Sequence, residues 1–216
     1  MKITVKKIVQ ILFFCFVSIA LCVGQKAETI MDDAAKAYEK SNGISAQFAI
    51  HIQSTKQGIS ESFEGTIQMR GDKFVLITPD MRIWYDGTIM WTLLIATDEV
   101  NLTTPTGDDL QFANPMILFS TYKEGFNPSY SGESTTDSGR PAYDVHLTSK
   151  GRSDIEKIEV QIEKAASFPT RMTVYMKNDI RNIIRISKMQ TGMNQPDSFF
   201  AFNPKDFPEV IEIDLR

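Results

Sequence analysis

Ile44-Ser45-Ala46-Gln47-Phe48-Ala49-Ile50-His51-Ile52 is the stretch that decides how this chain folds. Ile44, Ala46, Phe48, Ile50 and Ile52 alternate with Ser45, Gln47, Ala49 and His51. Successive side chains of a strand point to opposite faces, so this pattern predicts a strand with one dry and one wet face. The next segment repeats it, with Phe63, Gly65, Ile67 and Met69 set against Ser62, Glu64, Thr66 and Gln68. Gln57-Gly58 between them suits a hairpin turn.

Outward from this hairpin, short strands are expected near 73–78, 81–86, 88–95 and 98–104, with turns at Asp80, Asp86-Gly87 and Thr97-Asp98. Residues 108–122 interrupt the β pattern. Leu110, Phe112, Met116, Ile117 and Phe119 predict a short helix around Pro115. Residues 126–140 read as an irregular loop holding one weak strand. Alternation returns at 143–148, 158–163 and 171–177, and 181–190 reads as a last long strand. Phe199 to Phe202 with Asn203-Pro204 closes the pattern. Upstream, Ile30, Ala34, Ala37 and Tyr38 recur at helical spacing before a stop at Asn42-Gly43, which predicts a helix over 25–40.

A long antiparallel meander with one apolar face must cover that face. Helical material is scarce, so the expected fold is mainly β with an α lid. A strongly curved antiparallel sheet of about ten or eleven strands forms an unclosed half-barrel, covered by two or three short helices. That many strands lean toward an internal space rather than a filled core. The methionines suit either an ordinary core or a surface that repacks around a ligand.

The first residues are not expected to belong to this fold. Lys2, Lys6 and Lys7 precede an apolar run from Ile8 to Val23, and Gly24 supplies a small residue, the layout of a secretory signal peptide over 1–24. The run is shorter than the about 20 residues that span a bilayer. Lipid modification at Cys22 wants a small residue before it, and Leu21 stands there. Cleavage after Gly24 removes both cysteines and leaves a single domain over 25–216, without disulfide or thiolate, in the periplasm. It also removes three of the 23 basic residues, leaving 20 against 27 acidic ones. So acidic a domain lacks the basic stripe that nucleic acid needs.

Catalytic chemistry is hard to place. His51 and His146 each stand on the polar side of an alternating strand. No zinc-ligand spacing, G-x-S-x-G, Walker A or G-x-G-x-x-G motif occurs. The acidic pairs Asp32-Asp33, Asp98-Glu99 and Asp108-Asp109 adjoin turns or helix starts, where carboxylates meet free N–H groups. The chain is therefore read as a binding protein rather than an enzyme, with no cofactor and no metal, and a monomer is expected.

Phe63 to Trp91 reads F-E-G-T-I-Q-M-R-G-D-K-F-V-L-I-T-P-D-M-R-I-W-Y-D-G-T-I-M-W. With Phe168-Pro169-Thr170-Arg171-Met172 and Phe199-Phe200-Ala201-Phe202-Asn203-Pro204, in that order and spacing, it resembles the LolA-type periplasmic lipoprotein carriers. The resemblance implies a half-barrel that takes acylated lipoproteins from an inner-membrane lipoprotein-releasing transporter and passes them to an outer-membrane acceptor. An alternative on the same fold is binding or sensing of another lipid, such as a glycolipid or polyprenyl lipid. Arg70 matches the family's lid latch, which bonds the lid and holds it shut when empty, and Phe74 matches an aromatic that handles acyl chains. Gly71 replaces the family's usual proline and Leu76 its usual tryptophan. The candidate lipid-binding set is Phe48, Ile50, Phe63, Ile67, Met69, Phe74, Leu76, Trp84, Met90, Trp91, Phe112, Met116, Met172, Val174 and Ile184, of which Trp84 and Trp91 suit core filling better than lipid contact.

Overall fold

Alternating segments do become strands, and they join into one open sheet. A computed structural model describes residues 25–106, 110, 117–151 and 153–216, the side chain of Ser120 excepted. The described chain begins with helix α1, residues 25–40. It ends in the left-handed region at Asn42 and Gly43, with φ of 51° and 96°. Glycine adopts that conformation without the Cβ clash other residues meet.

Six strands follow in a meander: β1 (Ile44–Ser54), β2 (Ile59–Arg70), β3 (Lys73–Ile77), β4 (Met81–Tyr85), β5 (Met90–Leu94) and β6 (Glu99–Thr103). Helix α2 (Leu118–Gly125) leads into a second meander: β7 (Phe126–Thr135), β8 (Pro141–Ser149), β9 (Ile155–Glu163), β10 (Pro169–Met176) and β11 (Arg181–Thr191). The two meanders fuse where β1 pairs with β11, from Ile44 opposite Thr191 to Gln53 opposite Arg181. A final strand, β12 (Ile211–Asp214), lies parallel to β6. The order is β12-β6-β5-β4-β3-β2-β1-β11-β10-β9-β8-β7, so β12 and β7 are the edges of an open, curved half-barrel.

Among the described residues, twelve strands replace the ten or eleven expected. Residues 126–135, read as part of a loop holding one weak strand, form the ten-residue edge strand β7, whose Pro128 is tolerated because an edge has one unpaired side. The chain does not finish at Pro204 but runs on into β12, which pairs in parallel where its neighbours pair antiparallel. The segment around Phe199 is a 3-10 turn, Asp197–Phe200. Of the helix expected around Pro115, the described part is α2. Pro115, Phe112, Met116, Asp108, Asp109 and residues 1–24 lie outside the described residues.

Two apolar clusters occupy the two faces. The inner one joins Ala27, Ile30, Met31 and Ala34 of α1 and Leu118, Phe119 and Tyr122 of α2 to inward residues from both meanders. The outer one holds Val75, Trp84, Leu93, Val100 and Leu102 beneath Phe200 and Phe202 of the C-terminal tail. Trp84 meets Phe202 and Phe207 edge-on at 5.4 and 5.5 Å. Strands β3 and β4 thus supply buried residues to both clusters, Phe74 and Tyr85 to the inner and Val75 and Trp84 to the outer, and burial of each such side chain contributes about 1.5–3 kcal/mol.

The tail reaches this outer face by a continuous path. Gly192 and Asn194 donate to the carbonyls of Ser41 and Asn42 at 2.7 and 2.9 Å. Gln195 Nε2 then donates to Gln68 Oε1 at 3.1 Å, and Asp197 arrives beside Arg70.

Candidate acyl-chain groove

The inward face of the β1–β11–β10–β9 region presents its apolar residues in cross-strand rows. Ile50 lies opposite both Phe63 and Ile184, and Ile184 lies opposite Met172. The next inward row runs through Ile52, Asn182, Val174 and Ile158. These residues, with Ile155 and with Leu118 of α2, line a cavity of about 210 Å³. Every lining side chain is apolar except Asn182. Phe63 remains 36% exposed at its edge and meets Phe48 edge-on at 6.4 Å. The Phe48 ring lies across Gly65, where a Cβ would come within 2.7 Å of Phe48 Cζ and 2.3 Å of the Ile77 carbonyl.

The cavity thus brings together Ile50, Phe63, Met172, Val174 and Ile184 from the expected set. Phe48, Ile67, Met69 and Phe74 are buried in the inner cluster beside it, with Leu76 and Met90 at the cluster's margin. Trp84 and Trp91 do not line the cavity. They pair across β4 and β5 on the outer face, under the tail, with the sheet between them and the groove. Ile52, Leu118, Ile155, Ile158 and Asn182 were not in the expected set. Ile52 and Ile158 stand on the apolar side of their strands and were legible there, whereas Asn182 breaks the alternation and only strand register places it.

The described contacts of Arg70 lie on the other side of the sheet, toward the tail. Met69 points into the inner cluster, so Arg70, one residue further along the strand, points outward. Its guanidinium donates to Asp197 Oδ1 in the tail, where Lys73 Nζ also reaches Asp197 at 3.0 Å. Arg70 lies 5.7 Å from the Phe200 ring. The bond between this turn and the lid runs in the opposite sense, since Tyr38 Oη of α1 donates to the carbonyl of Gly71. Burial, and then the charge of Asp72, push the Tyr38 hydroxyl well above its usual range, so it stays a donor.

The two helices are tied around Asp32. Tyr122 Oη and Lys123 Nζ, both on α2, donate to its carboxylate at 2.8 Å. Burial pushes the Asp32 carboxyl up, but the hydrogen bonds from Lys123 and Tyr122 outweigh it and hold the group below the usual carboxylate range. Lys26 at the start of α1 sits 3.7 Å over the ring of Tyr130 on edge strand β7.

The histidines face away from the groove. His51 Nδ1 bonds Ser62 Oγ at 2.8 Å, and His146 Nε2 lies 3.9 Å from Glu159. Among the described residues no group of His, Cys, Asp or Glu side chains is arranged to hold a metal ion.

An uncharacterized conserved protein from Thermus thermophilus has the same fold, with a TM-score of 0.59 at 14% identity over 88% of this chain and 99% of its own. A LolA superfamily protein from Nitrosomonas europaea gives a TM-score of 0.46 at 13% identity, covering 82% of this chain and 97% of its own. Lipoprotein LppX of Mycobacterium tuberculosis gives 0.46 at 14%, covering 80% and 97%. No curated protein matches the sequence. The family model described as outer membrane lipoprotein carrier protein LolA matches residues 18–179, well over half of the chain, and the protein belongs to that family.

Proposed function

We propose that this protein is a non-enzymatic periplasmic carrier that takes acyl chains of lipoproteins into the groove and moves them from the inner to the outer membrane. Residues 1–24 direct its export. An inner-membrane lipoprotein-releasing transporter loads it, and an outer-membrane acceptor unloads it. The observation that carries the reading is a cavity of nine apolar side chains and one amide, roofed by a helix that hydrogen bonds tie to α1.

At about 210 Å³ the cavity falls below the roughly 300–1,000 Å³ of sites that enclose a small molecule. The helices must therefore shift for a chain to enter. Each methylene withdrawn from water gains about 0.8 kcal/mol, so a chain of about sixteen carbons gains about 13 kcal/mol gross. That exceeds the roughly 0.5–1.5 kcal/mol net of any one bond tying the lid. The surplus offsets the cost of separating α1 and α2 from the inner cluster, and a smaller net affinity permits release.

Val174 is half-buried on the groove wall, and Val174→Trp fills the space from within. Titration with a synthetic triacylated lipopeptide, read by native mass spectrometry, should give a one-to-one complex with the wild type and none with Val174→Trp. Failure of the wild type to take up lipopeptide, or equal uptake by the variant, would count against the carrier reading.

A further inference from the structure

Asn182 is the one polar side chain lining the groove, and its Oδ1 is buried without a hydrogen-bond partner. Three other such atoms exist among the described residues, on Arg82, Thr103 and Ser149, and none of those residues lines this cavity. A buried acceptor left unpaired bears the whole cost of losing its water, so a strand sequence built only for stability would place an aliphatic residue here. Valine or isoleucine would continue the row of Ile52, Val174 and Ile158 without that cost.

The position of Asn182 along the groove is also informative. Ile184 and Met172, one row deeper, are 7% and 1% exposed, whereas Ile52, Val174 and Asn182 are only half-buried. Beyond them come the β1–β2 and β10–β11 turns, with polar Ser54, Lys56 and Asp179. Along β10 and β11 exposure rises from Met172 and Ile184 to Val174 and Asn182, and the turns beyond are polar, so a chain lying along these two strands has its methyl end toward Met172 and Ile184 and its head beside the amide.

We infer that Asn182 is a specificity-determining residue that accepts a hydrogen bond from the head of the bound chain. The groove thereby selects acyl chains whose head carries an N–H or O–H donor, an amide-linked chain above an ester-linked one. The inference rests on the proposed binding of acyl chains in this groove. An amide N–H satisfies Oδ1. An ester offers acceptors only and leaves Oδ1 unpaired. Sites built around a buried polar group discriminate in this way against ligands that lack its complement.

The test uses two ligands of one length, N-methyldodecanamide and methyl dodecanoate, which compete with an environment-sensitive dye for wild type, Asn182→Leu and Asn182→Thr. The amide-to-ester affinity ratio should fall at least about tenfold from wild type to Asn182→Leu, a change of about 1.4 kcal/mol. Asn182→Thr keeps an acceptor and should retain most of the ratio. A ratio unchanged in Asn182→Leu, with both ligands still bound, overturns the role of Asn182 and leaves the acyl groove standing. Binding of neither ligand by the wild type overturns the groove reading itself.

Discussion

Tyr38 on the lid helix donates its hydroxyl to the carbonyl of Gly71, which is held out by the turn between β2 and β3. The bond ties the helix to the turn of the β2–β3 hairpin. Tyr38→Phe keeps the ring and deletes only the donor, at a net cost of about 1 kcal/mol. Because Ala27, Ile30, Met31 and Ala34 stay buried, α1 should still dock. Hydrogen exchange over residues 25–40 should rise about fivefold while β8 to β10 stay protected, and uptake of a fluorescent fatty acid should accelerate. Unchanged exchange would mean that apolar contacts alone set the lid equilibrium.

Arg70 predicts a different phenotype from the same turn. Its contacts run to Asp197 and Phe200 in the tail, and Asp197 is 68% exposed. Exposed ion pairs contribute about 0–1 kcal/mol. Arg70→Leu should therefore lower global stability by no more than about 1 kcal/mol and raise exchange at 197–207 more than at 25–40. The opposite order would restore a direct hold of Arg70 on the lid.

Asp32 makes the joint between the helices acid-sensitive. Its carboxyl titrates below the ordinary 3.8 because Lys123 and Tyr122 bond the charged form. A lowered folded-state value means that stabilisation is present above the unfolded value and is lost as pH falls through the folded one. Side-chain exposure of 35% for Asp32 and 59% for Lys123 keeps the contribution to about 1 kcal/mol or less. Exchange of α1 and α2 should rise below about pH 3.8, and Asp32→Asn should already show that increment at neutral pH. A variant indistinguishable from wild type at neutral pH would dismiss the joint.

Much of this architecture is legible in alternation. Ile44 to Ile52 and Tyr143 to Leu147 each have one wet face, and both form strands as read. Alternation fails where both faces are dry. In Met81-Arg82-Ile83-Trp84-Tyr85, Trp84 belongs to the outer cluster and Tyr85 to the inner, so hydrophobicity could not say which face holds the ligand. What covers Trp84 is a tail more than a hundred residues further along the chain. The direction of Arg70 was within reach, since Met69 and Arg70 must point oppositely. The resemblance assigned it to the lid instead. Asn182 was beyond reach, because an asparagine inside a strand acquires meaning only once Ile52 and Val174 are known to flank it.

The two-cluster arrangement separates stability from binding. Trp84 is 7% exposed, packs on Phe202 and Phe207, and lies under the guanidinium of Arg82 at 5.6 Å. Trp84→Ala leaves a hole under the tail and should cost about 3–5 kcal/mol in urea unfolding. The groove is lined from β1, β2, β9, β10, β11 and α2, none of which supplies a buried residue to the outer cluster. The folded fraction of Trp84→Ala should therefore bind a fatty-acyl probe with affinity within about twofold of wild type, which is less than about 1 kcal/mol. Val174→Ala, on the half-buried groove wall, should show the reverse, with a small stability loss and a measurable change in probe affinity. A large affinity loss in Trp84→Ala would mean that the tail and the groove are coupled through the sheet, and that the outer cluster takes part in holding the chain.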